Sequence, residues 1–189
     1  MKVMGICCSP REGGNTEILV REALEGVRAA GGDPELILLA GKTIAPCDAC
    51  GGCAKDGRCI VDDDMQDIYE KMEAADGIIF GTPVYFLNVS AQAKAVMDRT
   101  YGFLRVGKLK GKVAGAIIAV RRVGAGQVLS LLYPFFAAHR MIIAGGGIGY
   151  GREKGEVREG PGGAHGVTAL QEARAVGKNV VRMAKRLRP

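Results

Sequence analysis

Four cysteines crowd into thirteen positions with the spacing Cys47-x2-Cys50-x2-Cys53-x5-Cys59. Thiolates ligate soft metals, and the distribution of the ligands tells which object they hold. Zinc knuckles use two CxxC pairs set well apart, so that two turns grip one tetrahedral ion. Cysteines at successive third positions instead wrap a corner of something larger, as the bacterial C-x2-C-x2-C-x3-C-P run wraps an iron–sulfur cubane. Here the last gap is five residues and no proline follows Cys59, so the principle matches and the ferredoxin sequence does not. The spacing reads as a [4Fe–4S] cluster ahead of zinc, and as zinc ahead of free thiols or disulfides. Asp62, Asp63 and Asp64 follow at once. Carboxylates suit hard cations, but here they read better as the acidic start of a helix, where they favour its dipole.

A second candidate is the segment Cys8-Ser9-Pro10-Arg11-Glu12-Gly13-Gly14-Asn15-Thr16, where an apolar run gives way to a helical pattern. Hydroxyls, an amide, a guanidinium and glycines at a helix N-terminus suit a phosphate, because free N–H groups and the helix dipole both attract an anion. The spacing is neither the P-loop nor the dinucleotide pattern. The bland alternative is a plain turn with Thr16 as N-cap. Cys7 reads as a small apolar strand residue. Cys8 borders the anion turn, where a less favoured reading makes it a reactive thiolate.

These residues need elements to position them. Apolar runs at Val3–Cys7, Leu36–Ala40, Gly77–Gly81, Val113–Val120 and Met141–Ala144 lack polar alternation, as parallel strands buried on both faces do. Helical stretches separate or follow them at Thr16–Ala30, Met65–Ala75, Ser90–Tyr101, Gln127–Ala138 and Val167–Leu187. The alternation predicts an α/β fold with a doubly wound five-stranded parallel sheet. In such a sheet the first turn sits at the switch point where ligands bind. Thr82 to Ser90 and Arg121 to Gln127 end later strands and should reach the same crevice. One phosphate-like loop, one aromatic loop and one glycine loop together favour flavin mononucleotide (FMN). Residues 41–63, the cysteine-rich loop after strand 2, and residues 145–166, with ten glycines in twenty-two positions, remain as long functional or mobile loops.

At 189 residues the chain has room for one domain, 1–189, and 48% hydrophobic residues exclude disorder. No apolar run spans a membrane and no cleavage site follows the first strand pattern, so a cytoplasmic protein is expected. The net charge of +6 is split: residues 1–98 hold 9 basic and 16 acidic side chains, residues 99–189 hold 17 and 4. No nucleic-acid motif accompanies the basic half, which leaves a solvated helix or attraction of an acidic partner or phosphorylated cofactor. Of the two histidines, His139 reads as packing residue and His165 as a solvent-facing or lid residue.

The combination SPREGGNT, the cysteine run, DDDMQDIYEKMEAADGIIFGTPVYFLNVSAQAKAVMDR and GAGQ resembles the iron–sulfur flavoprotein family within the NAD(P)H-dependent FMN reductase superfamily. The likeness runs from Met1 to about Gln127, and only the cysteine run is specific to the cluster-bearing branch. It implies a flavodoxin-like fold of strand order 2-1-3-4-5, FMN, a cubane on Cys47, Cys50, Cys53 and Cys59, and a homo-oligomer, dimer or tetramer. Carried onto matching positions, it implies that Ser9, Arg11, Asn15 and Thr16 hold the FMN phosphate. Pro83, Val84, Tyr85, Phe86 and Asn88 would line the ring, with Gly124, Gly126 and Gln127 at its edge. The implied activity is electron transfer from ferredoxin or NAD(P)H to a small acceptor such as oxygen species or a quinone. A cluster-free NAD(P)H-dependent FMN or quinone reductase and a non-catalytic carrier are the alternatives; an isoelectric point near 9.1 disfavours the carrier.

Overall fold

Three runs are buried at nearly every position, and they form the centre of the sheet: β1 (Lys2–Cys7), β3 (Gly77–Pro83) and β4 (Val113–Val120). The computed structural model describes residues 1–158 and 166–187. β2 (Asp33–Leu38) and β5 (Ile142–Tyr150) close the two edges, giving the parallel order β2-β1-β3-β4-β5. That is the flavodoxin-like architecture the sequence predicts.

Helices α1 (Asn15–Ala29) and α6 (Ala169–Leu187) cover one face, and α2 (Met65–Ala74), α3 (Ala91–Arg99), α4 (Tyr101–Val106) and α5 (Ala125–Ala138) the other. Ile18, Val20, Ala23, Leu24 and Val27 make the buried stripe expected of α1. At two glycines the helices of that face meet backbone to backbone. A Cβ at Gly177 would lie 1.8 Å from the Ala23 carbonyl oxygen, and one at Gly26 would lie 2.1 Å from that of Arg174.

Several boundaries differ from expectation. The glycine-rich loop was expected from residue 145, yet Gly145, Gly146, Gly147 and Gly149 belong to β5, and the loop begins at Gly151. Gly145, at φ +122°, accommodates the register shift against Ala114 and Gly115. At Gly149 a Cβ would meet Val157 at 2.4 Å and Leu19 at 2.6 Å, so close packing and not looseness explains the glycine. β2 starts three residues early, at Asp33, and alternates exposed and covered positions because it is an edge with β1 as its only neighbour. The helix expected over Ser90–Tyr101 is two helices, broken at Thr100. There the hydroxyl donates to the Met97 carbonyl at 2.7 Å and meets His139 Nε2 at 3.0 Å. His165 lies outside the described residues.

Candidate functional site

The switch point lies where β1 is flanked by β2 and β3, and the turn after β1 opens there into a cavity of about 370 Å³. Ser9, Arg11, Gly14, Asn15 and Thr16 line one side and Pro83, Val84, Tyr85 and Phe86 another. Thr16 is not the N-cap of α1. Gly14 holds that position and offers no side-chain acceptor, so the first-turn amides of α1 stay uncapped beside the cavity. Thr16 itself is buried beneath the turn. The Ser9 hydroxyl accepts from Arg11 N at 3.1 Å, curling the turn. Gly13 N donates to Glu17 Oε2 at 2.6 Å. Burial opposes the charge on Glu17, but that amide together with Arg21 and Lys154 holds its carboxyl below the usual range.

Ser90 fixes the two loops to each other. Its hydroxyl donates to the Cys8 carbonyl at 2.6 Å and accepts from Ala93 N at 3.1 Å, so one side chain caps α3 and fastens the turn after β1. Beyond it, Tyr85 and Asn88 exchange backbone hydrogen bonds of 2.9 and 3.0 Å around a turn with Phe86 at φ +45° and Leu87 at φ +66°. Two consecutive non-glycine residues in the left-handed region cost on the order of 1–3 kcal/mol each, and such strain clusters at ligand clamps. Phe86 is fully exposed, at 102%. Asn88, Gly124, Gly126 and Gln127 do not line the cavity. Asn88 bonds to its own turn, with Oδ1 accepting from Val89 N. Gly124 supports the hairpin from behind, since a Cβ there would meet Val84 at 2.7 Å. Gly126 and Gln127 face outward.

Arg121, at the head of the segment expected at this crevice, forms a third wall with Gly151, Arg152, Glu153 and Lys154 after β5, which sequence reasoning missed. Asn15 secures this strap, with Nδ2 donating to the Glu153 carbonyl at 2.9 Å and Oδ1 accepting from Gly155 N at 2.8 Å. Arg121 and Arg152 also join Arg122 around an adjoining hollow. The signal was the run of basic residues at the carboxyl ends of the last two strands.

Cys8 is wholly buried, and burial pushes its thiol pKa well up; the reactive-thiolate reading is therefore overturned. Cys7 packs in β1 as expected, its thiol pushed up to about 11, chiefly by burial.

Cys47, Cys50, Cys53 and Cys59 border one separate cavity of about 410 Å³, with Val61, Asp98, Arg99 and Tyr101 in its wall. All four stand as free thiols, Cys47 and Cys50 exposed and Cys53 and Cys59 partly covered. Among the described residues no three His, Cys, Asp or Glu side chains converge closely enough to hold one metal ion. The donor set thus surrounds a space instead of meeting at a point. Left-handed Ala49 (φ +60°), Gly51 (φ +75°) and Gly57 (φ +81°) curl the loop around it. Gly57 and Gly102 dock the loop on α4 so tightly that a Cβ at Gly102 would lie 2.3 Å from the Gly57 oxygen.

Two of the three aspartates do more than begin α2. Asp64 accepts from Thr43 N at 2.7 Å and Lys42 Nζ at 3.2 Å, and Asp63 accepts from Ala45 N at 2.9 Å and Met65 N at 3.0 Å, so both ends of the cysteine loop are clamped together. Burial disfavours the charge on Asp63, but Arg99 and the two amides overcome this and lower its pKa. Arg99 was also missed. Its sequence signal is a cation three residues after buried Val96 on the buried stripe of α3. His139 is buried, its pKa lowered by desolvation, with its ring edge-on to Phe135, as the packing reading expects.

The profile of the NADPH-dependent FMN reductase family matches residues 1–153. An iron-sulfur flavoprotein of Methanocaldococcus jannaschii is 42% identical over 98% of this chain and 98% of its own length. An iron-sulfur flavoprotein of Methanosarcina thermophila is 41% identical over 77% of this chain and 78% of its own. Among solved structures, RosB with a bound 8-demethyl-8-formylriboflavin-5'-phosphate intermediate superposes with a TM-score of 0.77 at 16% identity, covering 99% of this chain and 80% of that one. A WrbA-like flavodoxin from Agrobacterium tumefaciens gives 0.64 at 19%, covering 99% and 98%. Those two likenesses concern the fold, whereas the profile and the close relatives reach further: this chain belongs to the NADPH-dependent FMN reductase family, in its iron-sulfur flavoprotein branch, and is a flavin-dependent oxidoreductase.

Proposed function

We propose that the chain binds FMN in the switch-point cavity and a [4Fe–4S] cluster in the cysteine loop, and passes electrons from ferredoxin or NAD(P)H to a small acceptor such as oxygen species or a quinone. The observation that carries this reading is the presence on one chain of two cavities with no lining residue in common, one polar and cationic at a helix N-terminus, the other bordered by four thiols. When bound, a flavin supplies two-electron hydride chemistry and a cubane one-electron transfer, so the pair interconverts the two.

The residues divide the work of binding. The uncapped amides of α1, the Ser9 and Thr16 hydroxyls and the Arg11 guanidinium suit the phosphate. Asn15 acts by holding the 151–155 strap across the turn. Pro83, Val84, Tyr85 and Phe86 offer a flat apolar wall for the ring. At the mouth, Arg121, Arg122, Arg152 and Lys154 attract an anionic donor, whether dinucleotide phosphates or an acidic protein surface. Exposed Phe86 and Leu87 suit cover by a second copy in a dimer or tetramer. The free thiols suit a reducing, cytoplasmic setting. Among the described residues no helix is long and apolar enough to cross a membrane.

Anaerobically purified protein should contain FMN together with iron and acid-labile sulfide at about four of each per chain. Cys53→Ser should lose the iron and sulfide and keep most of the flavin; equal loss of both would contradict separate sites. Flavin without iron in the unmodified protein would favour the cluster-free reductase. Failure to turn over quinone with any donor would favour the carrier.

A further inference from the structure

A guanidinium has five N–H donors. In Arg99 four of them are placed: Nη1 donates to the Ala45 carbonyl at 2.9 Å and Asp63 Oδ2 at 2.7 Å, and Nη2 to the Val61 carbonyl at 3.3 Å and Asp63 Oδ1 at 3.0 Å. The fifth, Nε–H, has no partner among the described residues, although the side chain is 0% exposed. A buried donor left unmade costs about 1–3 kcal/mol, and this one belongs to a residue that borders the cysteine cavity. Cys59 borders the same cavity and packs against the core that holds Tyr69 and Phe103. The Tyr69 hydroxyl spends its proton on the Arg99 carbonyl at 2.6 Å. The bidentate pair with Asp63 keeps the guanidinium plane from turning to seek another acceptor.

We propose that Arg99 Nε–H is the hydrogen-bond donor to a sulfur on the Cys59 side of the cluster, making Arg99 a positioning residue that also raises the cluster's reduction potential. The inference rests on the iron–sulfur reading above. Ala45 and Val61 flank the cysteine run, so one buried cation holds both ends of the loop and offers its last proton to what the loop encloses. A fixed positive charge and an N–H directed at sulfur both favour the more negative, reduced state, which moves the potential upward.

The test uses the whole protein, grown with arginine labelled with 15N at Nε, purified anaerobically and reduced with dithionite. Pulsed EPR should show coupling of the cluster's electron spin to an arginine 15N, kept in Arg58→Lys and lost in Arg99→Lys. Arg99→Lys should also shift the cluster midpoint potential negative while leaving the FMN potential in place. Wild-type protein that holds the cluster and shows no such coupling overturns the inference, even if the variant fails to load. An unshifted potential in a loaded variant overturns it too. Protein with FMN and no iron or sulfide overturns this inference and the cluster reading together, and so separates the two failures.

Discussion

At the scale of single residues, charge pairs in this chain differ by what surrounds them. Arg28 and Glu25 form a solvent-exposed pair on α1, and such pairs contribute about 0–1 kcal/mol. Arg99 and Asp63 are 0% and 8% exposed, so removal of one partner leaves an uncompensated buried charge costing roughly 3–5 kcal/mol. Asp63→Asn should therefore lower the denaturation midpoint by far more than Glu25→Gln and release the cysteine loop, read as faster alkylation of Cys53 and Cys59 in unloaded protein. The pH dependence has a definite sign. Asp63 is held below its unfolded value of about 3.9, so its contribution is complete above that value and is lost as pH falls through the lower folded pKa. Thermal melts on acidification below about pH 4 should show that loss, with less of it in Asp63→Asn. That the four cysteines gather around one cavity was legible because their spacing is local. Arg99 was not, because its partners Asp63, Ala45 and Val61 lie 36 to 54 positions away and meet it only through folding.

At the scale of elements, glycine has two meanings that composition alone cannot separate. In β5 the glycines resembled a loop, yet Leu19 and Val157 pack where a Cβ at Gly149 would sit. Gly177 and Gly26 let α1 and α6 touch backbone to backbone. Gly177→Ala should destabilise the fold by at least about 1–3 kcal/mol, because the opposing atoms are main chain and cannot rotate away. Chemical denaturation should show it, with Gly41→Ala, strained at φ +76° but facing open space, costing less. The central strands and the stripe of α1 were readable from period and apolarity, whereas the break between α3 and α4 falls at Thr100, which meets His139 39 positions away.

At the scale of the molecule, the ends of the strands gather part of the chain's basic half at one place. Arg121 and Arg152, thirty-one positions apart, meet at one mouth because β4 and β5 are parallel neighbours. Turnover with an anionic donor should slow as ionic strength rises and the Debye length falls below about 10 Å, with a weaker salt dependence in Arg121→Gln, Arg152→Gln. Steady-state rates across a salt series check this, and an equal slope in wild type and variant would detach the rim from donor capture. What the sequence by itself determined was whatever depends on near neighbours: strand and helix periodicity, the phosphate-type turn, the thiol spacing and, through these, the fold. The tertiary structure alone decided the strap of Gly151 to Gly155 over Asn15, the cationic mouth and the Arg99–Asp63 clamp, because each joins residues whose separation along the chain carries no local signal and whose charges acquire meaning only once water is excluded between them.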